Sequence, residues 1–241
     1  MLQLCVKLLL ILFKKIERLL NVENIIIIGS SGHAKVVIDI VQQEGKYHII
    51  GLIDRFRKVD EETIGYKILG KEEDLPKLIK MHTIKGILVA IGDNSIRAKV
   101  VSSVRETCPN ICFVSAIHPH ASIATNVSIG EGTVVMAGVS INPCVSIGEF
   151  CILNTNSSLD HDSKMANFSS LAPRVVTGGY CDIGEYSAIC IGATLIERIH
   201  IGKHSVIGAA SLVLKSVDAY VIAYGSPVKK ISNREQGDKY I

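Results

Sequence analysis

Tryptophan is absent from this chain, and aromatic residues make up only 5% of its 241 residues, against 48% for hydrophobic residues as a whole. A core of this composition favours stacked rows of aliphatic side chains over a sandwich built around large aromatic rings. The seven cysteines show no CxxC spacing, so neither a disulfide framework nor a zinc site is predicted. We expect reduced, structural thiols in a cytoplasmic protein, and no metal.

Strong charge and long apolar runs are also missing. The net charge is +3 and the basic residues are scattered, which excludes the basic tract typical of a nucleic-acid binder.

The apolar run from Leu8 to Phe13 is too short to span a bilayer, and no signal-peptide cleavage site follows it. Residues 1–22 are predicted to be an N-terminal extension. Within it, the segment 1–20 forms either an amphipathic helix on a partner or on the inner face of a membrane, or a poorly ordered stretch.

A period of six dominates the second half of the chain. From Ile117 to Val213 every sixth residue is apolar, with Thr177 as the one exception. A helix repeats every 3.6 residues and a strand every two, whereas a period of six is typical of a parallel β-helix. We predict this all-β fold for residues 116–214, with the C-terminal tail, 215–241, leaving the register and packing against a neighbour.

Glycine follows the aliphatic residue in several of these repeats, where the chain has to turn a corner. Because glycine adopts positive φ at little cost, these glycines are predicted to form the corners with positive φ. The positions are Gly130, Gly148, Gly184, Gly202 and Gly208.

Residues 23–115 show alternating strand and helix patterns. Strands are predicted at 24–29, 47–53, 66–69, 86–91 and 111–114, and helices at 34–43, 71–81 and 94–106. This alternation predicts a small, Rossmann-like parallel α/β domain.

A glycine-containing turn follows the first predicted strand of this domain. The segment Gly29-Ser-Ser-Gly32-His33 lies where such domains bind ligands, and the start of a helix favours an anion. Ser31 replaces the second glycine of the dinucleotide fingerprint, so a full NAD site is not predicted. The alternatives are a nucleotide or nucleotide-sugar site, with Asp54 facing the same crevice, and a purely structural turn.

His161 is the candidate for chemistry within the repeat. Three hexapeptides make one coil, so residues 18 apart stack at about 4.8 Å. Gly179 therefore lies next to His161, in a coil that also carries the irregular residues Thr177 and Gly178. The missing side chain leaves an open space beside the imidazole. We predict that His161 is a general base, oriented by Asp162, that deprotonates an amine or hydroxyl attacking a bound thioester.

Three segments, GSSGHAKVVIDI (29–40), LNTNSSLDHDS (153–163) and YGSPVKKI (224–231), resemble one family. It comprises the hexapeptide-repeat sugar O-/N-acetyltransferases related to sialic acid O-acetyltransferases and to N-acetyltransferases of UDP-linked 4-amino-sugars. The resemblance covers residues 23–231. It implies a Rossmann-like nucleotide-sugar domain before a left-handed β-helix, a homotrimer, and acetyl-CoA bound between adjacent β-helices.

The resemblance also implies roles for individual residues. His161 matches the family's catalytic base, and Asp162 matches the acidic residue that orients it. The positions that match the sugar-nucleotide region are Gly29, Ser31, Gly32, His33 and Asp54, with Asn94 and Arg97 in a matching loop. Gly179, Ile191 and Ala209 match positions that line the acetyl-CoA cleft.

Two positions on the cofactor side depart from the family pattern. Ser170 stands where the family often has a second histidine near the acetyl carbonyl, and it retains a hydroxyl donor. Arg174 replaces a small glycine and is a candidate contact for a CoA phosphate or an acidic substrate group.

The hypothesis that follows is N-acetylation of a UDP-4-amino-sugar in bacterial surface-glycan biosynthesis, by direct transfer in a ternary complex. The first alternative is O-acetylation of a sialic or nonulosonic acid. The second is a non-catalytic trimeric scaffold that binds a nucleotide. A simple acceptor such as serine fits less well, because it would not need a separate α/β domain.

Overall fold

The computed structural model describes residues 22–239, so the predicted contact of residues 1–20 with a membrane or partner lies outside the described residues. In the part that is described, no helix combines the length and apolar character needed to cross a bilayer.

The α/β domain is a six-stranded sheet with three helices. Its strands are β1 (Glu23–Ile28), β2 (Tyr47–Ile53), β3 (Glu62–Thr63), β4 (Tyr66–Gly70), β5 (Gly86–Val89) and β6 (Cys112–Phe113), and its helices are α1 (Gly32–Glu44), α2 (Leu75–His82) and α3 (Asn94–Thr107). The strand order is β3-β4-β2-β1-β5-β6, and only the β3–β4 pair is antiparallel. The four isoleucines of β1 are buried, as a central parallel strand requires. The prediction of a Rossmann-like domain is confirmed.

Two local expectations in this domain were incomplete. The predicted helix 71–81 begins instead with a separate 3₁₀ turn, Glu72–Asp74, and α2 starts only at Leu75. Pro76 explains this start, since proline is favoured in the first turn of a helix. The short strand β3 was not predicted because two residues carry no periodic signal.

The repeat folds into a parallel β-helix with seventeen two-residue strands. These are, from β7 to β23, Ala116–Ile117, Ser122–Ile123, Ser128–Ile129, Val134–Val135, Ser140–Ile141, Ser146–Ile147, Ile152–Leu153, Ser158–Leu159, Lys164–Met165, Ser170–Leu171, Val176–Thr177, Asp182–Ile183, Ala188–Ile189, Thr194–Leu195, His200–Ile201, Val206–Ile207 and Leu212–Val213. Successive strands fall into three sheets. Sheet 1 contains β7 and every third strand after it, sheet 2 begins with β8, and sheet 3 begins with β9.

The constant length of one coil sets the packing. Val135 pairs with Leu153, and Leu153 with Leu171, so each inward side chain lies directly on the one from the next coil. These inward residues are mostly buried, and even Thr177 is only 4% exposed. The prediction of an α/β domain followed by a left-handed β-helix is confirmed.

The glycines that follow the inward residues do not supply positive φ, which corrects the prediction. Positive φ occurs three positions before the inward residue in most coils, largely at non-glycine positions such as Asp162 (φ 57°) and Phe168 (φ 58°). The predicted glycines are required for space instead. A Cβ at Gly130 would lie 2.5 Å from the backbone of Gly148, and one at Gly184 would lie 2.5 Å from the backbone nitrogen of Lys203.

One edge of the β-helix carries a column of stacked rings, which we call the aromatic edge: Phe150, Phe168, Tyr186, His204 and Tyr220. Neighbouring ring centroids are 4.5–5.3 Å apart and nearly parallel. Phe150 is fully buried and meets Phe113 of the α/β domain at 5.0 Å. Stacked and edge-to-face rings both stabilise such contacts, so this edge joins the β-helix to the α/β domain.

The C-terminal tail departs from expectation. It leaves the hexapeptide register, but its strand β24 (Val221–Gly225) pairs in parallel with β22, and β25 (Val228–Asn233) pairs antiparallel with β24. Ile207 lies beside Ala223, whereas a coil of regular length would place it beside Gly225. The β-helix therefore continues past residue 214 with a shortened coil, which the periodicity alone did not reveal.

Candidate functional site

The edge between sheets 2 and 3 carries His161. We call it the base edge, after the role predicted for His161, and it comprises His161, Asp162, Tyr180 and Arg198. The imidazole Nδ1 of His161 lies 2.8 Å from Oδ2 of Asp162. This hydrogen bond raises the pKa of His161, and the negative charge of Asp160 adds to the shift. Because Nδ1 faces a carboxylate, the tautomer with a proton on Nδ1 is favoured and Nε2 is left as the acceptor.

Space at Nε2 is created by Gly179, as the stacking of successive coils predicted. A Cβ at Gly179 would lie 2.6 Å from both Cε1 and Nε2 of His161. The ring of Tyr180 packs edge-on against His161 at 5.3 Å, and the Arg198 guanidinium lies 4.8 Å from the centre of the Tyr180 ring. The ring of Tyr180 therefore covers one side of the imidazole, and the side next to Gly179 is open.

Thr177, the polar residue among the inward positions, changes one hydrogen bond between successive coils. Elsewhere in the sheet, the residue after an inward position donates to the backbone oxygen of the next coil, as Asn142 does to Leu159. Here the backbone N–H of Asp160 donates to the hydroxyl of Thr177 at 3.1 Å instead.

The Asp160 carboxylate accepts the backbone N–H of His161 and the Asn142 amide, and both bonds lower its pKa. Sequence reasoning missed Asp160, although its position beside His161 was a usable signal.

A first cavity opens at the carboxyl ends of β1, β2 and β5 and has a volume of about 560 Å³. We call it the nucleotide cavity after the ligand predicted for its glycine-containing turn. Gly29, Ser31 and Asp54 line it as predicted, and the Ser30 hydroxyl donates to Oδ2 of Asp54 at 2.5 Å. Phe56, which is 91% exposed, stands at this cavity together with Arg55, Lys99 and Ile96. Phe56 and Lys99 were not predicted, because they lie outside the glycine-containing turn.

A second cavity, the interdomain cavity, lies between the α/β domain and sheet 1 and has a volume of about 420 Å³. Ser170, Ile191 and Ala209 line it on the β-helix side, and His33 and Gly92 on the other side. Gly92 also lines the nucleotide cavity, so the two cavities adjoin. His33 was predicted in the sugar-nucleotide region, but α1 turns its ring toward the β-helix.

His33 is a neutral imidazole at pH 7. Burial lowers its pKa to about 4, and the positive charge of Arg97 acts in the same direction. Its Nε2 is buried and has no hydrogen-bond partner within residues 22–239. Burial and a positive charge therefore lower the pKa of His33, whereas neighbouring carboxylates raise the pKa of His161.

Asn94 and Arg97 do not line either cavity, contrary to the predicted substrate contact. Asn94 is fully buried and Arg97 is 1% exposed. The Arg97 guanidinium donates to the backbone oxygens of Phe150 and Phe168 in the β-helix and to those of Ile91 and Gly92 in the α/β domain. Asn94 Nδ2 donates to the backbone oxygen of Ser187 in the β-helix at 3.2 Å. Both residues therefore connect the two domains, and the guanidinium of Arg97 satisfies several carbonyl groups at once.

The remaining predicted residues lie at three different places. Gly32 begins α1 beside the nucleotide cavity, and Arg174 is an exposed corner residue next to Pro173, which lines the interdomain cavity. Gly179 lies with His161 rather than with Ile191 and Ala209. Sheet 1 is the face of the three-sided coil opposite the base edge, so one chain does not bring His161 to its own interdomain cavity.

The family model described as the PglD N-terminal domain matches residues 24–104. A variant of GDP-perosamine N-acetyltransferase from Caulobacter crescentus, solved with CoA and GDP-perosamine, is 32% identical to this chain with a TM-score of 0.82; the match covers 87% of this chain and 97% of that one. The chain belongs to the hexapeptide-repeat family of sugar N-acetyltransferases. This membership confirms the predicted family, the acyltransferase class and acetyl-CoA as the co-substrate of that family.

Two further relatives agree with this membership. The acetyltransferase domain of PglB from Neisseria gonorrhoeae, in complex with acetyl coenzyme A, is 26% identical with a TM-score of 0.80, over 87% of this chain and all of that one. UDP-N-acetylbacillosamine N-acetyltransferase from Bacillus subtilis is 30% identical over 116 residues, which are 48% of this chain and 52% of the relative. The chain spans about half the length of the curated relatives it matches. Each of these relatives is named as an acetyltransferase, and none is named as a non-catalytic scaffold.

Proposed function

We propose that this chain transfers the acetyl group of acetyl-CoA to the amino group of a nucleotide-linked 4-amino-sugar, with His161 as the general base. The observation that carries the proposal is the His161–Asp162 pair, whose free Nε2 faces the opening left by Gly179. A UDP-linked sugar is the first candidate, and bacterial surface-glycan biosynthesis is the context in which such a product would be used.

The nucleotide cavity supports the substrate class. The exposed ring of Phe56 offers a stacking surface for a base, and Lys99 supplies positive charge for a diphosphate. Arg55, which also lines this cavity, is paired with Glu72 at 3.3 Å. The amides at the start of α1, beside Gly29 and Ser31, favour the same anion. Because Gly92 lines both cavities, a sugar attached to the diphosphate would extend toward the interdomain cavity.

The interdomain cavity suits the acetyl-bearing end of acetyl-CoA. Its lining is mainly aliphatic, with Asn154, Ser170 and His33 as polar side chains, which fits a pantetheine arm whose methylene groups alternate with two amides. Arg174 is exposed beside this cavity and is our candidate contact for a CoA phosphate.

The proposed reaction is a direct transfer. The sugar nitrogen attacks the thioester carbonyl carbon, and a C–N bond forms while the carbonyl oxygen gains negative charge. His161 accepts the proton from nitrogen at Nε2, and Asp162 stabilises the imidazolium through Nδ1. The carbonyl re-forms as the C–S bond breaks, and the His161 imidazolium returns its proton to the leaving CoA sulfur.

A second copy of the chain is required by this mechanism, because His161 and the interdomain cavity lie on opposite sides of one β-helix. We propose a homotrimer in which the base edge of one copy faces the cavity of the next. This arrangement would complete each site with residues of two chains.

A substrate panel tests the proposed function. Acetyl-CoA consumption, with mass-spectrometric detection of the product, is measured with UDP- and GDP-linked 4-amino-sugars and with free and CMP-linked nonulosonic acids. We expect a product heavier by one acetyl group only with the amino-sugars. Acetylation confined to nonulosonic acids would overturn the proposal and support the O-acetyltransferase alternative, which the exposed charge of Arg174 near the cavity favours.

A mixing experiment tests the shared site. His161→Ala removes the base, and Gly92→Trp fills the junction of the two cavities, so each variant alone is expected to be inactive. Unfolding and reassembling them together should restore activity, since some sites then combine an intact base edge with an intact cavity. Activity that stays absent from mixed trimers would contradict a site shared between copies.

A further inference from the structure

The two ends of the β-helix differ within residues 22–239. The first coil consists of β7, β8 and β9, and in this part of the chain each of these strands pairs on one side only. At the other end, the C-terminal tail continues the β-helix as β24 and β25. A solenoid needs a cap at each end, because a terminal coil otherwise exposes apolar side chains and a free strand edge.

The inward side chains of the first coil form an uncovered apolar surface. Ile123 is 37% exposed, whereas Ile141, which stacks on it in the second coil, is 1% exposed. In the last coils, the inward residues Ile207 and Val213 are fully buried. Four more apolar residues of the first coil are only half-buried, although their counterparts in the second coil are buried: Ile117, Ala121, Val127 and Ile129. Together with Ile123 they form a surface that we call the open end.

The described chain begins close to the open end. Helix α1 packs along sheet 1, from His33 at the interdomain cavity to Glu44, whose carboxylate accepts the backbone N–H of Ile117 at 3.3 Å. Three residues later, Tyr47 starts β2 and pairs with Glu23, the first residue of β1. Glu23 therefore lies within about 25 Å of the first coil. A segment that precedes β1 starts at the level of the open end.

Residues 1–21 have a sequence that suits this surface. Their apolar residues recur at spacings of three and four, which is typical of one face of a helix. This apolar stripe comprises Leu2, Val6, Leu9, Phe13, Ile16 and Leu20. The stripe on the opposite side comprises Lys7, Ile11, Lys14, Arg18 and Asn21. A helix of this length is about 30 Å long, so it can reach across the open end from its attachment at β1.

We infer that residues 1–21 form an amphipathic helix that caps the open end of the β-helix through the apolar stripe. The tether to β1 keeps the helix at a high effective concentration beside this surface. Docking removes two apolar surfaces from water at once. A membrane would cover the stripe and leave Ile123 exposed, and a second copy bound end to end would cover Ile123 and leave the stripe exposed.

Hydrogen exchange of the full-length protein in lipid-free buffer tests the cap. Ile16→Asp places a carboxylate on the apolar stripe, and Ile11→Asp is the matched control, because it makes the same change on the opposite stripe. We expect Ile16→Asp to speed amide exchange over residues 116–130 about tenfold. Exchange over residues 200–213 should not change, and Ile11→Asp should exchange like wild type over both ranges.

Limited digestion with trypsin measures the same contact from the segment, which contains the cleavage sites Lys14, Lys15 and Arg18. Ile123→Asp places a charge on the open end and should raise the cleavage rate at these sites about tenfold. Val59→Asp is the control, since Val59 is 60% exposed in the loop after β2, at the opposite end of the sheet from Glu23. It should leave the cleavage rate unchanged.

Three results would overturn the inference. The first is equal exchange over residues 116–130 in Ile16→Asp and Ile11→Asp. The second is protection of this range that weakens on dilution, which would assign the cover to another copy. The third is binding to vesicles of phosphatidylcholine and phosphatidylglycerol that Ile16→Asp abolishes while exchange over residues 116–130 stays the same, which would assign the stripe to a membrane.

The outcome does not depend on the proposed function, because no readout uses acetyl transfer. Should Ile123→Asp fail to fold, as judged by circular dichroism, the Ile16→Asp and Ile11→Asp pair still decides, since neither substitution alters the β-helix itself.

Discussion

The base edge and the aromatic edge share one backbone conformation and differ in their side chains. Asp162 and Phe168 both occupy the corner position with positive φ, at 57° and 58°. On the aromatic edge the rings stack, and the buried Phe150 packs against the α/β domain. On the base edge the side chains are exposed, and one of them is a histidine held by a carboxylate. A repetitive backbone therefore provides no site by itself. The role of each edge depends on the side chains at its corners and on whether the α/β domain packs against them.

The largest expected effect separates a histidine on each edge. His161→Ala should lower kcat about 10²–10⁴-fold, the usual contribution of a general base. His204→Phe keeps the ring stack with Tyr186 and Tyr220 and should leave kcat within about threefold. Steady-state kinetics of the folded protein decide this, and near-normal turnover by His161→Ala would refute the base assignment.

A methyl group added on each edge should give opposite results. A Cβ at Gly179 would lie 2.6 Å from the exposed imidazole of His161, whereas one at Gly132 would lie 2.3 Å from the buried ring of Phe150. Gly179→Ala is expected to displace the imidazole and lower kcat about 10²-fold with little loss of stability. Gly132→Ala is expected to lower the thermal unfolding midpoint and leave kcat nearly intact. The same response from both variants would contradict the division of roles.

Loss of a ring should be costly on only one edge. Phe168 stacks between Phe150 and Tyr186, at 5.1 and 5.3 Å, so Phe168→Ala should destabilise the protein by about 2–3 kcal/mol. That corresponds to a fall of roughly 4–12 °C in the unfolding midpoint. Tyr180 is half exposed, and Tyr180→Ala should cost less than about 1 kcal/mol. Calorimetric unfolding of both variants makes the comparison, and equal losses would show that the base edge is also structural.

The smallest effect is a shift in pH dependence. Asp162 raises the pKa of His161, and a general base acts only when neutral, so activity should rise with pH through this elevated pKa. Asp162→Asn removes the negative charge and lowers the pKa toward the ordinary value of 6.5. The acidic limb of kcat/KM should therefore move to lower pH, while the plateau falls because the base is weaker. A limb that stays in place or moves to higher pH would show that Asp162 does not set the pKa.

Periodicity in the sequence predicted the features that repeat. The regular coil requires Gly179 to lie beside His161, and the four isoleucines of β1 require a buried strand, because both follow from local geometry. The shortened final coil broke that regularity, so the strand Val221–Gly225 was not predicted. The glycines after the inward residues were recognised, but their reason was not, since the contact between coils is absent from a linear pattern.

The amino-acid order was enough to predict the two folds, the stacking of Gly179 on His161 and the pairing of His161 with Asp162. Each of these depends on residues that are one position or one coil apart. The way the domains meet followed instead from tertiary packing. That packing turned His33 into the interdomain cavity and withdrew Asn94 and Arg97 from the predicted substrate contact. It also set the base edge on the far side of the β-helix from that cavity. The contacts that produce the junction join segments 53 and 93 residues apart, and such separations carry no period.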